Sequence, residues 1–122
     1  ITAEAKSIHL AYELSGLLGL PFVILRKGYK SYMGKAISAT TVSITTGAEQ
    51  TLYLDEKDID QVRGNYVIIL DDVVSTGSTL KGMREIVANA GGHVSQVAAV
   101  FTEGDGDWDE VVALGNMPVF VD

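Results

Sequence analysis

Apolar and polar positions along this chain change period several times, and each change marks an element. Between Lys6 and Leu18, Ile8, Ala11, Leu14, Leu17 and Leu18 recur at three- and four-residue steps, which gathers them on one face of a helix stopped by Gly19. Pro21 to Leu25 is a short apolar run of β-forming composition that ends in the basic pair Arg26-Lys27, the pattern of a buried strand with a charged tip. From 28 to 50 the chain becomes rich in Gly, Ser and Thr, with Val42 and Ile44 alternating, which predicts a long excursion from the core and a mobile hairpin. Leu52 and Leu54 mark the returning strand. Tyr66 to Leu70 is apolar at every position, as in a central strand covered on both faces of a parallel sheet. Leu80, Met83, Val87 and Ala90 then line one helical face, and Gly91-Gly92 supplies the stop. Val94 to Phe101 and Met117 to Val121 read as further strands, separated by an acidic, Gly-rich loop from Glu103 to Asp109. Alternating strands and helices imply right-handed crossovers, and hence an α/β fold with a parallel sheet and helices on both faces.

Composition narrows this picture. At 122 residues and 47% hydrophobic content, the chain suits one domain, 1–122. Its net charge of -7 offers nothing to attract nucleic acid or an anionic membrane. The absence of cysteine excludes disulfides and thiolate metal sites and fits a cytoplasmic location. No apolar stretch reaches the ~18 to 20 residues that span a bilayer, so a soluble protein is expected. Ile1-Thr2-Ala3-Glu4 lacks an initiator Met and reads like the end of a strand entering a loop, so an N-terminally incomplete chain is also expected.

The chemistry concentrates after Leu70. In open α/β sheets, ligands sit at the carboxyl ends of the strands, and there the chain reads Asp71-Asp72-Val73-Val74-Ser75-Thr76-Gly77-Ser78-Thr79. Two adjacent carboxylates repel each other, a cost that a ligand's hydroxyls or a cation can offset. Ser75 to Thr79 then open the next helix with hydroxyl donors, small side chains and a glycine, which makes a phosphate cradle at a helix N-terminus. Taken alone, the cradle also fits an ordinary capped helix. The conjunction of apolar strand, acid pair, hydroxyl loop and helix is far more specific. The G-x-x-x-x-G-K-[ST] spacing of ATP-hydrolysing loops is missing.

Val67 to Thr79 resembles the signature of the type I phosphoribosyltransferases, whose fold is a Rossmann-like parallel sheet with a flexible loop or hairpin. The resemblance implies that Asp71 and Asp72 hold the ribose hydroxyls of phosphoribosyl diphosphate and that Ser75, Thr76, Gly77, Ser78 and Thr79 wrap its 5-phosphate. Ala5, Lys6 and Ser7, ahead of the first helix, resemble the family's diphosphate loop, although a plain helix start with a solvated lysine has the same sequence. Arg26, Lys27 and Lys30 cluster after a strand in an acidic chain, either as a solvated strand end or as cations for a leaving diphosphate. Tyr32 to Gln50 corresponds to the loop that closes over bound substrates and excludes water, with a merely floppy hairpin as the alternative.

The family displaces diphosphate from C1 of phosphoribosyl diphosphate with a base nitrogen. No protein nucleophile is implied, and Mg2+ would act through the substrate near Asp71 and Asp72, without direct protein ligation. The likeness is strongest to purine-salvage members, adenine-type and archaeal 6-oxopurine enzymes. Ser75 stands where 6-oxopurine members often have an acid and adenine-type members a small residue, so adenine is the favoured acceptor, with hypoxanthine, guanine or xanthine as the alternative. A homodimer is expected. A non-catalytic sensor of phosphoribosyl diphosphate is the other functional class open to this fold. His9 and His93 read as structural, and Glu103, Asp105, Asp107 and Asp109 as a solvated acidic run without calcium-loop spacing. Trp108 has two readings, contact with a base or packing over the sheet edge, and Phe120 or Val121 would form the base-pocket floor.

Overall fold

A computed structural model describes residues 1–43, 46–104, 106 and 108–118. The chain runs β1 (Thr2–Ala3), α1 (Ile8–Leu18), β2 (Ile24–Leu25), a 3-10 turn (Ser31–Met33), β3 (Ile37–Val42) and β4 (Glu49–Leu54). A second 3-10 turn (Glu56–Asp58), α2 (Ile59–Val62), β5 (Tyr66–Val74), α3 (Ser78–Asn89), β6 (His93–Glu103) and β7 (Val111–Met117) follow.

Backbone hydrogen bonds fix the lateral order. β1 is parallel to β2, with Thr2 N–H donating to Val23 O and Glu4 N–H to Leu25 O, both at 3.0 Å. On its other side, Leu70 N–H donates to Ile1 O at 2.9 Å, which sets β1 beside β5. β5, β6 and β7 are parallel in that order. The β3–β4 hairpin joins the opposite flank through the antiparallel bridge between Tyr53 and Arg26. The carboxyl ends of β1, β2 and β5 therefore lie along one rim.

β5 shows why the two sheet faces differ. Successive side chains of a strand point to opposite faces, and Val67 and Ile69 enter the main core, where α3 places Leu80, Met83, Ile86 and Val87. The even set, Ile68 and Leu70, instead lines an open, mainly apolar cavity of about 450 Å³ with Ala11, Leu14 and Leu18 of α1. Of the face expected for the first helix, only Ala11 is buried, while Leu17 remains 81% exposed. Helical spacing gathers apolar residues on a face but does not supply something for that face to cover.

Three expectations change. The hairpin stem is no excursion: Ala39 and Thr41 of β3 and Leu52 and Leu54 of β4 are buried, and Gly82 of α3 gives Leu52 and Thr41 room to approach. Small or hydroxylic inward residues at β3 concealed its period-two pattern. β7, paired from Val97–Val111 to Glu103–Met117, is a strand that the reading of the sequence did not expect, while the expected strand 117–121 falls mostly on positions outside the described residues. β5 also continues through the acid pair to Val74, because Asp71, Val73 and Val74 remain in register with Ala99, Phe101 and Thr102. No described helix is long and apolar enough to cross a membrane.

Ile86 is fully buried at the centre of α3's inner face. Ile86→Ala should lower unfolding free energy by about 2 to 5 kcal/mol, whereas Leu17→Ala on the exposed face should change it by less than about 0.5 kcal/mol; urea denaturation of both variants measures the difference.

Candidate functional site

The rim at the ends of β1, β2 and β5 gathers most of the residues singled out by sequence. After β1, Glu4 to Ser7 form a loop, with a cis Glu4–Ala5 peptide, that leads into α1. Ala5 and Lys6 are exposed. Ser7 is not available in the expected way, because its side chain is buried, donates to Ala3 O at 3.1 Å and lies 2.6 Å from the Thr2 hydroxyl. Its hydroxyl braces the loop, which leaves the loop backbone and the Lys6 side chain to meet an anion. Thr2 extends this brace by donating to Leu70 O at 2.7 Å.

At the end of β2, Glu4 organises the cations. Its carboxylate receives the Lys27 backbone N–H at 2.6 Å and lies 3.3 Å from the Arg26 guanidinium. The Lys27 N–H bond, more than the nearby positive charges, holds the Glu4 carboxyl below its ordinary range. Motif matching overlooked Glu4; its position two residues ahead of Lys6 was the available signal. Lys30 is exposed in extended backbone before the first 3-10 turn, and among the described residues its side chain makes no hydrogen bond or ion pair.

At the end of β5, Asp72 N–H donates to Asp71 Oδ1 at 2.8 Å, and Val73 N–H to Asp72 Oδ1 at 2.9 Å. Burial, then the side-chain hydrogen bond with Asp72, pushes the Asp71 carboxyl up to about 7, against the attraction of Lys27. Burial also acts upward on Asp72, but the hydrogen bond with the Asp71 side chain, backbone N–H groups and the charge of Lys6 outweigh it and hold Asp72 low. Burial and the shared hydrogen bond thus push the two carboxyls apart, Asp71 up and Asp72 down. Lys6 and Lys27, from the two neighbouring loops, both act electrostatically on this pair.

Ser75 to Thr79 follow directly. Gly77 adopts a left-handed conformation (φ 85°), and α3 starts without a side-chain cap. Gly77, at the N-cap, has no side chain to cap the helix. Ser75 and Thr76 are exposed, the Thr76 and Ser78 hydroxyls lie 3.0 Å apart, Ser78 N–H donates to Thr76 Oγ1 at 3.3 Å, and the rest of the first turn presents backbone donors to an anion. Thr79 donates to Gln50 Oε1 at 3.1 Å, tying the hairpin to the cradle. This link between remote segments had no local signature in the sequence. Trp108 packs against Gly77 and the core. His9 and His93 are exposed. Asp105, Asp107, Phe120 and Val121 lie outside the described residues, as does the proposed pocket floor. Among the described residues, no group of three or more His, Cys, Asp or Glu could hold a metal ion.

An uncapped helix start, a paired acid and cations on two adjoining loops define an α/β domain suited to a ligand that carries both phosphate and hydroxyl groups. Residues 1–112 match the phosphoribosyl transferase domain family, and the chain belongs to it. A hypoxanthine/guanine phosphoribosyltransferase of Methanocaldococcus infernus is 36% identical over 106 residues, covering 87% of this chain and 54% of that protein. The corresponding protein of Methanocella paludicola is 32% identical over 106 residues, covering 87% of this chain and 52% of its own length. The chain spans about half the length of the curated relatives it matches. Among solved structures, adenine phosphoribosyltransferase of Thermoanaerobacter pseudethanolicus aligns over 95% of this chain and 68% of its own, with TM-score 0.77 and 24% identity. The fold is that of the type I phosphoribosyltransferases.

The acid pair gives a pH signature. Between the ordinary carboxyl value of 3.8 and about 7, folded Asp71 retains a proton that the unfolded chain has lost, so its contribution makes stability fall as pH rises through that window. Asp72, held low, contributes in the opposite sense and only at more acid pH. From about pH 5 to 8, urea unfolding should show wild-type stability declining relative to Asp71→Asn. Parallel curves for the two proteins would exclude the retained proton.

Proposed function

We propose that the chain carries the phosphoribosyl-diphosphate site of a purine phosphoribosyltransferase, which transfers 5-phosphoribose to a base nitrogen and releases diphosphate. The observation that carries this reading is the meeting of Asp71-Asp72, the uncapped Ser75–Thr79 loop and the cations Lys6, Arg26 and Lys27 on one rim. The carboxyl oxygens of Asp71 and Asp72 accept from the ribose hydroxyls. Backbone N–H groups and hydroxyls from Ser75 to Thr79 take the 5-phosphate. The Ala5–Ser7 backbone, Lys6, Arg26 and Lys27 take the diphosphate, with Lys30 approaching only if the segment before the hairpin closes.

In the reaction, a bond forms between the base nitrogen and C1 while the C1–oxygen bond to diphosphate breaks, and the departing oxygens gain negative charge. The protein's part is to fix donors and cations where that charge appears. Mg2+ would supply Lewis-acid neutralisation of the diphosphate, held through substrate oxygens near Asp71 and Asp72 rather than by direct protein ligation.

Two acceptors have support. Ser75, a small residue three positions after the acid pair, favours adenine, while the Methanocaldococcus infernus and Methanocella paludicola relatives are hypoxanthine/guanine enzymes. Incubation with Mg2+, phosphoribosyl diphosphate and each purine in turn should release diphosphate with one class of base. Ligand binding without turnover on any base would leave a sensor instead. Replacing Asp71 and Asp72 with Asn should weaken ribose 5-phosphate binding about 10- to 100-fold, the loss of one or two charge-assisted hydrogen bonds. Calorimetric affinity equal to wild type would remove both residues from the site.

A further inference from the structure

Trp108 reaches the site from a strand connection that the proposed chemistry does not use. A Cβ built on Gly77 would stand 2.6 Å from Trp108 Cη2 and 3.3 Å from Cζ3, so the edge of the indole lies directly on the Gly77 backbone. A Cβ on Gly106 would stand 2.8 Å from Nε1 and 3.1 Å from Cε2 of the same ring. The indole thus fills a slot between two glycines, one from the loop after β5 and one from the loop after β6. Its base is anchored, because Val111 N–H at the start of β7 donates to Trp108 O at 2.9 Å and the ring packs against the main core. Among the described residues, no acceptor meets its buried Nε1–H, so packing and not a hydrogen bond sets the ring's place.

Gly77 is where the cradle turns. Its left-handed backbone starts α3, and the exposed Ser75 and Thr76 before it offer little packing of their own. We infer that Trp108 is a positioning residue for the sugar-phosphate subsite, a rigid wall that holds Gly77 in the conformation aiming the first N–H groups of α3 at a phosphate monoester. The inference rests on the proposed reading of Ser75 to Thr79. Positional errors near 1 Å at such a cradle are costly, and a flat ring confined between two backbones restrains the loop without contributing a group to the ligand. The contact also makes Trp108, the sole tryptophan, a reporter of cradle occupancy.

Calorimetry with ribose 5-phosphate and with inorganic diphosphate separates positioning from general structural support. Trp108→Ala should weaken ribose 5-phosphate binding about tenfold or more and leave diphosphate binding, on the β1 and β2 loops, within about twofold of wild type. Trp108→Phe should restore most of the sugar-phosphate affinity. In the wild type, ribose 5-phosphate should change tryptophan emission with the calorimetric midpoint, a measurement that does not depend on the alanine variant folding. Unchanged sugar-phosphate affinity in Trp108→Ala, equal loss for both ligands, or flat emission while calorimetry records binding would overturn the inference alone. Failure of the wild type to bind ribose 5-phosphate at all would overturn the cradle reading with it.

Discussion

β1 lies between β2 and β5 and runs parallel to both, and the site depends on that alignment. Two bonds from β1 to the β2 side and one from Leu70 N–H to Ile1 O hold a strand only two residues long. Neighbouring strands stand about 4.8 Å apart, so the loops leaving their carboxyl ends emerge as immediate neighbours. The buried Thr2 hydroxyl tightens this junction, because it meets Leu70 O at 2.7 Å and Ser7 Oγ at 2.6 Å, joining β5, β1 and the start of α1 through one side chain. Ser7, expected at an anion, is used to build the loop that would hold one.

With the strands so placed, electrostatics follows from proximity. Asp71 and Asp72 cannot both ionise cheaply side by side, and one keeps a proton while cations from two adjoining loops favour charge on the pair. Glu4 performs the matching task on the cationic side, taking the Arg26 guanidinium and the Lys27 backbone together. The rim thus gathers cations although the chain as a whole carries -7.

The hairpin is drawn into the same system. Its inward residues pack on α3, and Gln50 at the head of β4 accepts from Thr79 at the start of that helix. Cradle and hairpin therefore share a hydrogen bond. The sheet's other face is organised differently: Ile68 and Leu70 look into an open cavity beside α1, whose outer leucines stay in solvent.

The sequence alone determined the class of fold and the centre of the site. The unbroken apolar run 67–70, the acids after it and the hydroxyl loop before Leu80 are local in the chain, and period, charge and turn chemistry are local properties. Only the tertiary structure decided what depends on distant partners. It turned the Ser7 hydroxyl inward, assigned Arg26 to Glu4, set Trp108 against Gly77 and joined Gln50 to Thr79. It also placed the hairpin stem in the core, because Ala39 and Thr41 carry too little apolar signal to reveal their burial until α3 and Gly82 are opposite them. The physical reason is the same in each case: a side chain's chemistry is written at its own position, but the group it meets is set by strand order, which brings together residues tens of positions apart.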